Sequence, residues 1–145
     1  MINFIEGQIN LGENSITAAS DDEYLDALAE KGLVEKREKR GGRVYYYVEA
    51  EADGMRFGVF IRLREKKTEW LRLSWLDSSM KGWDDVSEMA MKDEYRLLLN
   101  FIEKMVGRSP DNKGNRKHTW HFKWGLIEVC YEPRAYQADI FMKPR

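Results

Sequence analysis

The pair Asp53-Gly54 constrains this chain more than any other two residues. A two-residue type I′ turn needs positive φ at both central positions, and Asp-Gly is among the few pairs that accept it. Folding the chain there sets Ala50 opposite Phe57, Val48 opposite Val59, Tyr46 opposite Ile61 and Val44 opposite Leu63. All of these positions fall on one face, so turn chemistry and apolar alternation agree. The stretch 43–76 therefore reads as three antiparallel strands. A second turn near Lys66-Lys67-Thr68, with a three-residue loop, brings Leu71, Leu73 and Trp75 to the same face.

Helices are expected on either side of the middle. Ser20 followed by Glu23 forms a capping-box pattern, and Tyr24, Leu25, Leu28 and Ala29 then share one helical face up to Gly32. A second helix is expected within 84–106. It starts at Trp83-Asp84-Asp85, where acidic residues suit the macrodipole, and ends at Gly107. Met91, Tyr95, Leu98, Ile102 and Met105 recur along it at helical spacing. Residues 2–11 alternate loosely and predict a short strand. The final stretch, 118–143, predicts three more strands. A turn at Trp124-Gly125 pairs Phe122 with Ile127 and Trp120 with Val129. A turn at Pro133-Arg134 sets Tyr136, Ala138 and Ile140 beside Tyr131, Val129 and Ile127.

The expected fold class is thus α+β: a curved antiparallel sheet of about six strands with two helices packed on one face. The order helix then three strands occurs over 20–77 and again over 84–143. Asp22-Glu23-Tyr24 matches Asp93-Glu94-Tyr95, and both Gly32 to Arg43 and Gly107 to His118 span eleven residues. These matches point to a tandem αβββ duplication, against the alternative that this order recurs by chance in small α+β domains.

The chain has 145 residues, of which 43% are hydrophobic and 34% charged, enough for one domain (1–145) with its own core. Cys130 is the one cysteine, which excludes an internal disulfide and fits a reducing compartment. The N-terminus MINFIEGQIN has neither a basic n-region nor a long apolar run, and no stretch of transmembrane length occurs. The expectation is a cytoplasmic protein. With 24 basic and 25 acidic residues the net charge is -1, which argues against a dedicated nucleic-acid binder.

Three places have a composition that chemistry or recognition would use. The face of the 43–76 strands opposite the apolar one carries Tyr45, Tyr47, Phe60 and Trp70, with Arg56, Arg62, Arg64 and Arg72 among them. Arginine beside aromatics suits an acidic protein partner, a second copy of the chain, or stacked single-stranded bases. A plain solvated face with cross-strand pairs such as Glu51 opposite Arg56 is the competing account. His121, Glu128 and Asp139 are expected in a cross-strand row on the outer face of the last strands, where they suit a metal or an acid–base pair. Surface His–Glu pairing competes with that. His118 is expected on the opposite face, and Cys130 reads as an ordinary thiol. The loop Arg108–Lys117 and the run Glu35–Arg40 read as a mobile connection and a solvated link. No G-x-S-x-G, H-E-x-x-H, C-x-x-C or G-x-G-x-x-G is present. The expectation is a protein without catalytic residues, metal or cofactor.

The segment Trp120-His121-Phe122-Lys123-Trp124-Gly125-Leu126-Ile127, with Tyr131-Glu132-Pro133-Arg134, resembles the final hairpin of small uncharacterised bacterial proteins. The αβββ order resembles β-lactamase-inhibitor-like proteins, in which a curved sheet grips a partner enzyme. No inhibitory or catalytic residue carries over from that resemblance. The aromatic and arginine-rich face, with no catalytic motif beside it, leads to the expectation of a non-enzymatic protein-binding module of inhibitor or immunity-like type, with Tyr45, Tyr47, Phe60, Arg62, Trp70 and Arg72 as its binding face.

Overall fold

The computed structural model describes residues 1–80 and 86–145. Among these, three short strands, β1 (Ile2–Asn3), β2 (Gln8–Leu11) and β3 (Asn14–Thr17), form a small sheet. The helix α1 (Asp22–Glu30) leads into β4 (Glu35–Glu38), β5 (Val44–Ala52), β6 (Met55–Arg64) and β7 (Lys67–Trp75). The helix α2 (Glu88–Val106) leads into β8 (Asn112–Lys113), β9 (Lys117–His121), β10 (Gly125–Glu132) and β11 (Gln137–Pro144). These last eight strands build one antiparallel sheet, ordered β4-β5-β6-β7-β11-β10-β9-β8.

The fold is α+β as expected, but with eleven described strands in two sheets in place of about six in one. The sequence predicts a single strand where the small N-terminal sheet stands. The run Glu35–Arg40, expected as a link, supplies β4. The loop Arg108–Lys117 supplies β8 and the first residue of β9. Each helix precedes four strands rather than three, and the helices differ in length, 9 residues against 19. A duplication is not established by that order.

The Asp53-Gly54 turn stands where its chemistry requires, with φ of 48° and 81°. The expected pairs Ala50–Phe57, Val48–Val59 and Tyr46–Ile61 are present. The next turn is tighter than expected. Glu65 and Lys66, both at positive φ, join Arg64 to Lys67. A bulge between Arg62 and Leu63 takes up the odd residue, so Leu71 and Leu73 still reach the apolar face opposite Ile61 and Val59. The two C-terminal hairpins are displaced by two residues from the expected register. Trp120 pairs with Ile127, Ile140 with Val129 and Ala138 with Tyr131, while Tyr136 sits in the turn. A slip of two preserves the face each side chain takes.

Helix α1 is capped by Asp21, whose carboxylate accepts from the Tyr24 N–H at 2.9 Å. Ser20 instead accepts from the Thr17 N–H, so the cap falls one residue later than expected. Gly32, at φ 75°, closes the helix, with the Leu33 N–H bonding back to Leu28. Helix α2 begins at Glu88 and is capped by Ser87. The expected start at Trp83-Asp84-Asp85 lies outside the described residues.

Both helices and the small sheet cover the same face of the large sheet. Phe101 of α2 meets Phe57 of β6 and Phe4 of the N-terminal segment, with ring centroids 5.7 and 5.8 Å apart. From α1, Leu25 and Leu28 enter the same core, and Asp26 accepts from the Tyr46 hydroxyl. Val59, Ile61, Leu71, Leu73, Trp120, Ile127, Val129, Ile140 and Met142 are fully buried beneath them. Burying each such side chain contributes roughly 1.5–3 kcal/mol. The edges of the large sheet are blunt: β4 reads Glu-Lys-Arg-Glu and β8 has two residues. Charged or very short edge strands resist pairing with a further strand. Among the described residues no helix is long and apolar enough to cross a membrane.

Candidate functional site

With one face covered and both edges blunted, the remaining broad surface of the large sheet is its outer face. Strand alternation sends every second side chain there. Register sets Tyr45 opposite Arg62, Tyr47 opposite Phe60, Arg62 opposite Trp70 and Phe60 opposite Arg72. All six residues expected from sequence thus form one block on β5, β6 and β7, each half-buried. The block continues onto β11, because Arg72 pairs with Phe141.

The aromatic rings meet in two groups. Tyr45 and Tyr47 flank Phe60 at centroid distances of 6.1 and 5.0 Å, and Trp70 meets Phe141 edge-on at 5.4 Å. Cations lie over these rings. Arg37 stands 4.1 Å from the Tyr47 centroid, Arg72 4.5 Å from Phe60, Lys39 5.3 Å from Tyr45 and Arg62 5.8 Å from Trp70. Each such contact contributes roughly 0.5–1 kcal/mol at an exposed site and holds the charge flat against the sheet.

The charges are not all cancelled within the protein. Arg62 pairs with Glu69 at 3.0 Å and Arg37 with Glu35 at 2.9 Å. Arg72 has no such carboxylate among the described residues, and its Nε is buried without a hydrogen-bond partner. A shallow groove runs along this block, lined by Lys39, Arg43, Arg62 and Arg72 together with Tyr45, Phe60 and Trp70, with no carboxylate in its lining among the described residues. Burial, with the neighbouring Glu49, raises the Tyr47 hydroxyl above its ordinary pKa, so it stays a neutral donor.

Tyr47 lies over Gly58, which occupies the facing strand. A Cβ at position 58 would come within 2.8 Å of the Tyr47 hydroxyl. The missing side chain lets the phenol rest on the backbone. Arg56 and Arg64 stand outside the block. Arg56 faces Glu51 in register, as expected, but its guanidinium pairs with Asp77 at 3.1 Å.

The second expected constellation is not brought together. The two-residue slip sets His121 opposite Leu126, Glu128 opposite Thr119 and Phe141, and Asp139 opposite Cys130. The His121 ring bonds the Asn112 amide at 3.0 Å, and Glu128 takes Lys143 at 3.2 Å. The described residues hold no group of three His, Cys, Asp or Glu placed to bind a metal. His118 lies on the opposite face as expected, its Nδ1 2.6 Å from the Tyr95 hydroxyl. Burial pushes the Cys130 thiol up to about 12, which fits an inert thiol. The Arg108–Lys117 stretch is held by an Arg108–Asp111 ion pair and by the Asp111 carboxylate accepting from the His121 N–H.

Sequence reasoning misses Phe141, Lys39, Arg43 and Arg37 as parts of the face. Phe141 joins through the β7–β11 pairing, which no turn announces. Arg37 joins through β4, whose four charged residues carry no apolar signal. No family model, curated protein or solved structure matches this chain.

Proposed function

We propose that this protein is a non-enzymatic protein-binding module that grips an acidic partner with its outer sheet face. Tyr45, Tyr47, Phe60, Arg62, Trp70 and Arg72 form the contact. The observation that carries the reading is the groove with four cations, three aromatic rings and no carboxylate in its described lining. Interfaces concentrate aromatic residues and arginine, and rings with few rotors lose little entropy on contact. A carboxylate from the partner would pair with the Arg72 guanidinium, which forms no ion pair among the described residues. Blunt edges favour a partner that lies across the face over one that adds a strand. Such a grip suits an inhibitor- or immunity-like role.

Affinity capture compared between the native protein and a Tyr47→Ala, Trp70→Ala double variant tests the reading. The expected result is an acidic partner retained by the native protein, weakened by salt and lost from a double variant with an unchanged circular dichroism spectrum. Retention of every partner by that variant removes the face from the function. Loss of capture alongside dimerisation in sedimentation assigns the face to a homodimer.

A further inference from the structure

The strands β7 and β11 pair only from Leu71–Leu73 against Met142–Ile140, then part. The cleft that opens between them, about 140 Å³, is lined by Asp139, Glu94, Ser78, Trp75 and Tyr136 among others, with no basic side chain among the described residues. We propose that this cleft is a socket for an organic cation, an ammonium or guanidinium group.

Two carboxyls converge here from different elements. Glu94 comes from α2 and accepts a hydrogen bond from Ser78; Asp139 comes from β11. Asp139 is 8% exposed and has neither a hydrogen bond nor an ion pair among the described residues. A buried carboxylate without a partner is costly, and proteins resolve the cost by pairing it with a cation. Arg72, on β7, is near enough to favour the charged form of Asp139 but makes no ion pair with it. Cys130 faces it from β10, and Arg116, Lys117 and Glu132 line a neighbouring groove that Asp139 shares.

Size and lining choose the ligand class. At ~30 Å³ per water the cleft holds roughly four or five waters, more room than a bare ion needs. Two carboxylates are too few to replace the six to eight oxygens that calcium takes. Two carboxyls in a lining that also includes Trp75 and Tyr136 and no basic side chain among the described residues suit an ammonium or guanidinium head, through charge and charge-assisted hydrogen bonds.

Titration with Nα-acetyl-arginine amide, Nα-acetyl-lysine amide and uncharged Nα-acetyl-leucine amide, followed by backbone and carboxyl NMR, tests the socket. The expected result is saturable shifts at Ser78, Glu94 and Asp139 with the cationic probes alone, and a fall in the Asp139 titration midpoint when they bind. Asp139→Asn and Glu94→Gln, each folded by circular dichroism, should weaken binding about tenfold or more. A pentapeptide Gly-Gly-Arg-Gly-Gly that binds about tenfold tighter than the single residue supports a basic side chain of a polypeptide as the source; equal binding supports a free small amine or guanidine. No saturable shift, equal binding by the leucine probe, or undiminished binding in both variants overturns the proposal. Shifts produced by calcium chloride and not by the organic cations overturn the ligand class.

Discussion

Replacing Asp139 by Asn should stabilise the free protein at neutral pH. Burial raises this carboxyl from its ordinary 3.8 to about 6, with Glu94 adding to the rise and Arg72 opposing it. Because its folded-state pKa lies above its unfolded value, the native state binds more protons than the unfolded state between those two values. The group therefore favours folding least at high pH. Its penalty is absent below about 4, grows as pH rises to about 6, and is constant above. A folded-state pKa one pH unit above the unfolded value corresponds to about 1.4 kcal/mol, so the ionised carboxylate costs on the order of 2–3 kcal/mol at pH 7.5. Asn keeps the shape and carries no charge. Urea denaturation at pH 7.5 and at pH 4 measures the difference directly. The variant should gain on the order of 2–3 kcal/mol at pH 7.5 and little at pH 4. A variant no more stable than the native chain at pH 7.5, or a gain independent of pH, would refute the reasoning.

Gly58→Ala sets two effects against each other. Alanine gains roughly 0.5–1 kcal/mol from the unfolded chain, while displacing the Tyr47 ring costs on the order of 1–3 kcal/mol. The substitution should destabilise the native protein yet stabilise a Tyr47→Ala background, a sign change that a double-mutant cycle in urea reads. The Cys130 thiol, held up at about 12 by burial, should react slowly with iodoacetamide at pH 8 in the native protein and rapidly in urea, as followed by mass spectrometry.

The central hairpin is legible because two independent signals coincide there. Asp53-Gly54 names the turn, and the alternation from Tyr46 to Ile61 names the face. Elsewhere alternation stands alone. Since side chains repeat every second residue, Trp120, Ile127 and Ile140 announce their face but not their partners, and their registers lie two residues from the expected ones. Tyr136 looks like a strand residue because its positive φ leaves no trace in an aromatic side chain. Glu35–Glu38 carries no apolar period at all; it becomes a strand because β5 offers it a ladder, a tertiary effect. Within the six-residue aromatic and arginine block, the central register places Tyr45, Tyr47, Phe60 and Arg62, and alternation along β7 gives Trp70 and Arg72 the same face, so the block is readable although the turn before β7 differs from the expected one. Its extension to Phe141, and the cleft holding Asp139 and Glu94, depend on β7 meeting β11 across roughly 70 residues of chain.

The most direct test of the binding face places a photo-crosslinking residue at Phe60, in the middle of the block, and at Glu103, on the exposed side of α2, as the control. Irradiation in the protein's own cells, read by gel shift and mass spectrometry, should give a discrete adduct from position 60 that disappears on adding Trp70→Ala, and none from position 103. No adduct at position 60, or the same adduct at both positions, would contradict the account.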